Sequence, residues 1–432
     1  MTQPQLSTPR RHSHNTEVFA WALYDWANSA YSTLSITILV AYIQKVVLPG
    51  DAGPLAWAWG ISASMLLAAI LSPPLGAMAD TNASKRNWLA FTALTGATTA
   101  ILLGLVPSSW TWTIVALFFV TALMFELSIG FYNGFLPEIA DQETMGRVSA
   151  WGFTLGYLGG SLPLVAAVLV IQFGPRLGLV DLALQLRAGI LIMGLWWGLF
   201  SLPTILILRD RRQPMQGKLS LPRAARQAIG EVGHTLRNVR AYRMAALFLI
   251  GFLFFNDGIQ TVISQSSTFA LRELKFTTNE LIGVILMIQL VAMPGAMLVG
   301  WLADRIVGQK RMLMLCLAVW IGLLITAYFV HTKGQFWALG AVLALVMGGT
   351  QSVSRSIMGL MTPPTRAAEF FGFFNFSGKA TSFLGTFLFG LINFRTGSPR
   401  LAIVSLLVFF LIGWAITARV NVERGRREAV GG

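Results

Sequence analysis

The chain has 432 residues, of which 55% are hydrophobic and 12% charged, where an ordinary soluble protein carries roughly 25% charged residues. Together with 29 Phe, 14 Trp and 42 Gly, this is a composition for packed membrane helices, and it argues against a soluble enzyme. The formal net charge of +14 would suggest nucleic acid only if the charges sat on a soluble surface. The single cysteine, Cys316, excludes an intramolecular disulfide and a thiolate metal cluster. His12, His14, His234 and His331 all lie outside the long apolar stretches, which argues against haem or a buried histidine metal site. Neither metal nor cofactor is expected.

A membrane helix needs about 20 apolar residues. Runs of that kind fall at 18–48, 55–79, 88–107, 110–136, 147–172 and 188–208, then at 243–270, 279–303, 312–330, 335–360, 370–394 and 399–418. The first run is too long for a cleavable signal and contains Asp25. The expected organisation is a tail at 1–17, a six-helix bundle at 18–208, a linker at 209–242, a second bundle at 243–418 and a tail at 419–432.

With the N-terminus placed inside, the inner segments hold most of the 32 Lys and Arg. They include Arg10, Arg11, Lys85, Arg86, Arg147, the basic run from Arg209 to Arg243, Arg305, Lys310, Arg311, Arg366 and the residues from Arg419 on. The outer segments hold only Lys45, Arg176, Arg187, Arg272, Lys275, Lys333, Arg395 and Arg400. Both termini are therefore expected in the cytoplasm, at a plasma (inner) membrane, and the positive charge reads as an orientation signal with no nucleic-acid partner. In the linker, Leu221, Ala225, Ile229, Val232, Leu236 and Val239 recur at helical spacing, with Arg223, Arg226, Arg237 and Arg240 on other faces. This predicts an amphipathic helix on the inner leaflet, or a tether between the bundles; the two readings are compatible.

The halves repeat each other. Asp25, Asn28, Ser29 and Ser32 in the first run match Asp257, Gln260, Thr261 and Ser264 in the seventh, and offsets of three, four and seven put each set on one helical face. Gly76-Ala-Met-Ala79-Asp80 before Lys85 and Arg86 matches Gly300-Trp-Leu-Ala303-Asp304 before Arg305, Lys310 and Arg311. A weaker pair joins Gly134-Phe-Leu-Pro137 to Gly359-Leu-Met-Thr-Pro363. Pro73, Pro74, Pro163, Pro203 and Pro294 interrupt apolar runs, and "LGYLGG" (155–160) suits close helix contact.

A Gly-x-x-x-Asp loop followed by basic residues in both halves of a twelve-helix chain resembles the major facilitator superfamily. The strings "WALYDWANSAY" (21–31), "FNDGIQT" (255–261), "GGTQSVSRS" (348–356) and "EFFGFFNFSGK" (369–379) resemble, more narrowly, the vacuolar amino-acid effluxer family associated with autophagy in fungi, and its bacterial relatives. The resemblance implies an all-α membrane protein of twelve transmembrane helices in two pseudo-symmetric six-helix bundles, working by alternating access, with helices 1, 4, 7 and 10 lining a central cavity. Fungal members of the family are linked to amino-acid export from the vacuole.

Each of those four helices carries one charge: Asp25, Glu126, Asp257 and Arg355. A fifth, Lys379, lies in helix 11. A charge at mid-membrane costs about 2.5–3.5 kcal/mol on insertion scales, so each asks for a partner or a function. Two readings stand side by side. Asp25, Glu126 or Asp257 carries a coupling proton, or these acids pair permanently with Arg355 and Lys379 and fasten the helices. Arg355, with Gln351 four residues before it, is the better anchor for a carboxylate on an anionic or zwitterionic solute, with the amino group near Asp25 or Asp257. Lys379 is expected to pair with an acid. Asn28, Ser29, Gln260 and Thr261 are expected to line the cavity, although such stripes also serve as glue between helices. Asp80, Lys85, Arg86, Asp304, Lys310 and Arg311 are expected to gate the inner side, the cations bridging the halves, with Arg366 and Glu369 joining them.

The first functional reading is a secondary transporter of a small polar solute, an amino acid or related metabolite, working outward by proton exchange, as a monomer among membrane lipids. A second is an exporter or flippase of an amphipathic solute, which Phe254, Phe255 and "EFFGFFNF" keep open. A membrane enzyme would want a buried histidine or an acid cluster, and the intramembrane acids are scattered one per helix. A non-transport sensor is the last alternative. No nucleotide-binding Gly-rich Lys loop supports ATP drive.

Overall fold

The computed structural model describes residues 11–50, 52–211, 221–379 and 382–431. Of the basic residues expected to orient the chain, Arg10, Arg212 and Lys218 lie outside the described residues. Eleven helices among the described residues are long and apolar enough to cross a bilayer. In the first half they are α1 (Asn15–Val47), α2 (Ala52–Thr81), α3 (Lys85–Leu105), α4 (Thr111–Ile139), α5 (Met145–Arg176) and α6 (Leu182–Ile207). In the second half they are α7 (Arg243–Ser266), α8 (Gly283–Val307), α9 (Gln309–Tyr328), α10 (Lys333–Leu360) and α12 (Pro399–Ala418). Between the last two lies α11, described in two segments, Ala367–Lys379 and Ser382–Thr396. With it the count is twelve, in two pseudo-symmetric six-helix bundles. The linker forms a helix at Leu221–Arg237 and the C-terminal tail one at Val422–Gly431.

Local chemistry starts and bends these helices. The helices that become α8 and α10 each begin with a capping box, Thr277 with Glu280 and Thr332 with Gln335, which satisfies first-turn amides that have no helical partner. Prolines 73, 74, 163, 203 and 294 lie inside helices, where neighbouring helices re-satisfy the freed backbone. Wide π turns interrupt α1 at Ser35–Leu39 and end α8 at Ala303–Val307; the second carries Asp304.

Within each bundle the apolar faces bury large side chains, among them Trp197 in the first half and Trp320 in the second, both 0% exposed. Across the halves, α2 lies along α11 and α5 along α8. The ends of these two pairs share one face of the molecule with the linker and tail helices: Arg211 pairs with Glu17, and Glu428 accepts from the Met244 amide at 2.9 Å. We call this the terminal side.

The linker helix docks on α2 through small residues. Ala224 and Ala228, both fully buried, pack on Ala77 and Met78. Of the larger apolar row expected to bind the leaflet, Val232 packs partly on this cluster, whereas Ile229 remains 66% exposed.

Candidate central site and gates

A central cavity of about 420 Å³ lies between the bundles. Its wall takes Asp25, Asn28, Ser29, Ser32 and Thr33 from α1, Asn133 from α4, Tyr157 from α5, Asn256 and Gln260 from α7, Gln289 from α8, Gln351 and Arg355 from α10, and Asn375 and Lys379 from α11. An adjoining chamber of about 310 Å³ shares Ser32, Thr33, Ile263, Gln289 and Met347 with it and is otherwise walled mainly by apolar residues such as Ile36, Val262 and Leu281.

Two ion pairs flank the cavity. Arg355 Nη1 donates to Asp25 Oδ2 at 2.9 Å and to Asn133 Oδ1 at 3.3 Å, Nε to Ser149 Oγ at 2.9 Å and Nη2 to the Ser149 carbonyl at 2.6 Å. Its plane sits among the rings of Phe153 (4.2 Å), Trp21 (4.8 Å) and Tyr132 (5.6 Å), an arrangement favourable to a cation. Tyr132 also donates to Asp25 Oδ2 at 2.8 Å. All three guanidinium nitrogens are thus engaged, and the group is 3% exposed. Sequence reasoning expects Arg355 to offer a two-pronged fork to a solute carboxylate; the structure spends that fork on α1, α4 and α5, so Arg355 instead pins α10 to the first half. In the second pair Lys379 Nζ lies 3.1 Å from Glu126 Oε1, with side-chain exposures of 24% and 5%. Lys379 faces the cavity, and Glu126 stands behind it with Oε2 buried and without a partner.

Three residues expected on the cavity wall are off it. Besides Glu126, these are Asp257 and Thr261, each 1% exposed and turned toward Gly385 of α11. The repeated stripe is in register along the sequence, but α7 is rotated so that Asn256, Gln260 and Ile263 face inward. One residue is about 100° of helix, enough to take Asp257 off the wall. Asn256, Gln289 and Asn375 are not among the site residues expected from the sequence: Asn256 and Asn375 fall inside the strings that carry the resemblance, and Gln289 shows only as an amide inside an apolar run.

The gates also differ from expectation. Two of the expected cations stay within their own halves: Lys85 pairs with Glu138 and donates to the Gly134 carbonyl at 3.3 Å, and Lys310 donates to the Ala418 carbonyl at 2.7 Å. A cation that does cross is Arg147, whose Nε lies 3.8 Å from Asp304 Oδ2. Arg86 offers its backbone amide to Asp210 at 3.3 Å, and burial holds the Asp210 carboxyl above the usual carboxylate range. Arg311 lines a surface pocket beside Lys310.

The aspartates themselves cross. Asp80, ending α2, accepts from the Glu369 amide at 2.9 Å in the first turn of α11. Asp304, ending α8, accepts from the Gly146 amide at 3.0 Å and the Arg147 amide at 2.7 Å in the first turn of α5. Each carboxylate caps a helix of the opposite half, where orphan amides and the positive end of the helix dipole favour an anion. Thr144, at the N-cap of α5, makes no side-chain cap of its own. The glycine four residues before each aspartate permits the approach: a Cβ at Gly76 would stand 2.3 Å from the Ala368 carbonyl oxygen, and one at Gly300 2.6 Å from Ala150 Cβ.

The α2–α11 gate has a further tie. Arg366 holds Glu369 at 2.8 Å, Thr235 of the linker helix donates to Glu369 at 2.6 Å, and Thr81 of α2 donates to Glu231 of the same helix at 3.3 Å. Glu231, Thr235 and Glu138 were not foreseen; of these only Glu138, an acid in "FLPE" beside the expected gate, carries a visible signal.

Twelve helices in two related bundles, closed on one side by reciprocal caps around a polar cavity, define a membrane transporter of the major facilitator type rather than an enzyme. Solved structures agree on the fold. The human organic anion transporter MFSD10 matches with a TM-score of 0.69 at 14% identity, over 95% of this chain and 100% of that one. The transporter FucP in the outward conformation matches with 0.68 at 13%, over 95% and 99%.

Residues 58–430 match the family model described as vacuole effluxer Atg22 like, and the chain belongs to that family. An uncharacterized MFS-type transporter, YxiO of Bacillus subtilis, is 32% identical over 411 residues, 94% of each chain. Autophagy-related protein 22 of Kluyveromyces lactis is 26% identical over 317 residues, 70% of this chain and 63% of that one.

Proposed function

We propose that this transporter moves a small polar solute, an amino acid or related metabolite, outward across the plasma (inner) membrane by alternating access coupled to proton exchange, as a monomer with both termini in the cytoplasm. The observation that carries the reading is one cavity with Asp25 and Lys379 on its wall and the amides of Asn28, Asn256, Gln260, Gln289 and Gln351 between them. A zwitterion suits such a wall, its amino group toward Asp25 and its carboxylate toward Lys379, while the amides supply neutral donors and acceptors. About 420 Å³ is room for a metabolite and some water. The family's description as effluxers supports the outward direction.

The test uses purified protein. Thermal stabilisation by amino acids, peptides, sugars and lysolipids identifies a ligand, and its flux is then followed in liposomes under an imposed pH gradient. The expected result is stabilisation by an amino acid and flux that follows the gradient. Stabilisation by no polar solute, or flux indifferent to pH, overturns the reading. The apolar chamber beside the cavity favours a second reading, an amphipathic solute with its tail in that chamber; stabilisation by lysolipid alone would select it.

A further inference from the structure

Two of the three intramembrane acids are held by cations, Asp25 by Arg355 and Glu126 by Lys379. Asp257 is not. Among the described residues it takes one hydrogen bond, from the Gly385 amide to Oδ2 at 3.0 Å, and Oδ1 is buried without a partner. One turn on, and on the same face of α7, the buried hydroxyl of Thr261 also has no partner. Gly385 touches both residues, since a Cβ there would stand 2.2 Å from Thr261 Oγ1.

The elements packed around Asp257 bring it no charge among the described residues. From α12, Phe410 packs on the adjacent Gly258. On α11 the charge nearest in sequence to Gly385 is Lys379, held by Glu126, and Arg355 of α10 is held by Asp25. Asn256 and Gln260, flanking Asp257 on α7, reach the cavity wall.

A carboxylate with one hydrogen bond and no cation is the expensive form in an apolar interior. A proton on Oδ1 removes the charge of a carboxylate that no cation offsets among the described residues, and turns an unpartnered acceptor into a donor. A hard metal cation takes about six to eight oxygen ligands, and two side-chain oxygens fall well short. We infer that Asp257 is the site that takes up and releases the coupling proton, behind the solute cavity rather than in it. This rests on the proton-coupled reading above. The proton comes from water in one compartment and returns to water in the other, and the carboxyl group is otherwise unchanged. The output element is α11, which carries Gly385 against Asp257, Lys379 and Asn375 at the cavity, and the Glu369 amide on Asp80. Gly385 lies in the second described segment of α11, and Lys379, Asn375 and Glu369 in the first.

Infrared difference spectroscopy of the purified protein in lipid, stepped in pH, reads buried carboxyl groups directly. The wild type is expected to give a protonated-carboxyl carbonyl band that vanishes as pH rises. Asp257→Asn should lose its component of that band, and Glu126→Gln should keep it. A carbonyl-band spectrum that Asp257→Asn leaves unchanged overturns the proposal; bands from other buried carboxyls such as Asp210 are common to both proteins and cancel in the comparison. With the amino acid that stabilises the protein best as probe, Asp257→Asn should retain exchange of labelled for unlabelled solute but lose gradient-driven accumulation down to the level of protein-free liposomes. Gradient-driven accumulation retained in that variant also overturns the proposal. Should the wild type show no flux at all, the transport reading fails by itself, and the infrared result still decides whether Asp257 titrates.

Discussion

Asp25 and Asp257 occupy the same place in the two sequence repeats, and the fold treats them in opposite ways. Asp25 sits on the cavity wall under Tyr132 and Arg355, its charge matched by a guanidinium whose three nitrogens are all engaged. Asp257 lies behind the wall with one backbone amide and no cation. Internal duplication thus conserves a residue without conserving its task. A turn of α7 by about one residue separates an ion-paired carboxylate on the cavity wall from one that no cation meets among the described residues.

The sharpest way to break this contrast is to remove the cation. Arg355→Ala leaves Asp25 and the Ser149 and Asn133 acceptors without their donor, and breaking a buried pair on one side costs about 3–5 kcal/mol. A large fall in melting temperature and loss of transport are expected. An unchanged melting temperature would make the Asp25 pair as dispensable as the lone Asp257. Asp257→Asn is expected to melt close to wild type, because the amide replaces a carboxylate that had no counter-charge to lose.

The gates offer a second, smaller test. Losing a helix cap costs about 0.5–2 kcal/mol, so Asp304→Ala and Asp80→Ala should each shift the protein away from the state closed on the terminal side. Spin-label distances across α5–α8 and α2–α11 would follow this. The Asp304 variant should open further, since it loses two amide contacts and the Arg147 pair across the halves, whereas the linker helix still ties α11 when Asp80 is gone.

The smallest effect is expected on the opposite face. Lys333 and the Thr277 amide hold the Glu280 carboxyl down to about 2. Because the folded value lies below the ordinary one, the contribution to stability is present above the ordinary carboxylate range and fades as pH falls toward 2. The pair is exposed, where water screens it. The melting curves of wild type and Glu280→Gln should therefore differ slightly at neutral pH and converge in acid.

Much of the fold could be read from the chain. Apolar runs of membrane length, basic loops and three repeated motifs all report one-dimensional quantities, and hydropathy is one of them. Which face of a helix points inward is not. The same spacing that puts Asn28 and Ser29 on the cavity wall takes Asp257 and Thr261 off it, and no side chain in either stripe announces the rotation. The gate aspartates are visible as repeated letters, but the hydrogen bonds they accept across the halves come from backbone amides, which every residue except proline carries. Sequence reasoning therefore looked to Lys85, Arg86, Lys310 and Arg311 for counter-charges that helix ends supply. Thr235 and Glu231 were hidden for a different reason: their meaning depends on where the linker helix docks, and small alanines set that docking.

The contrast between the two aspartates can be measured most directly by proton exchange with the solution. Purified wild type, Asp25→Asn and Asp257→Asn, in weak buffer with an indicator dye, would each be given a small acid pulse and then the stabilising amino acid. If Asp257 is the titrating group, solute-linked proton exchange survives in Asp25→Asn and disappears in Asp257→Asn. The reverse pattern, exchange lost with Asp25 and kept without Asp257, would contradict the division of labour proposed between the two halves.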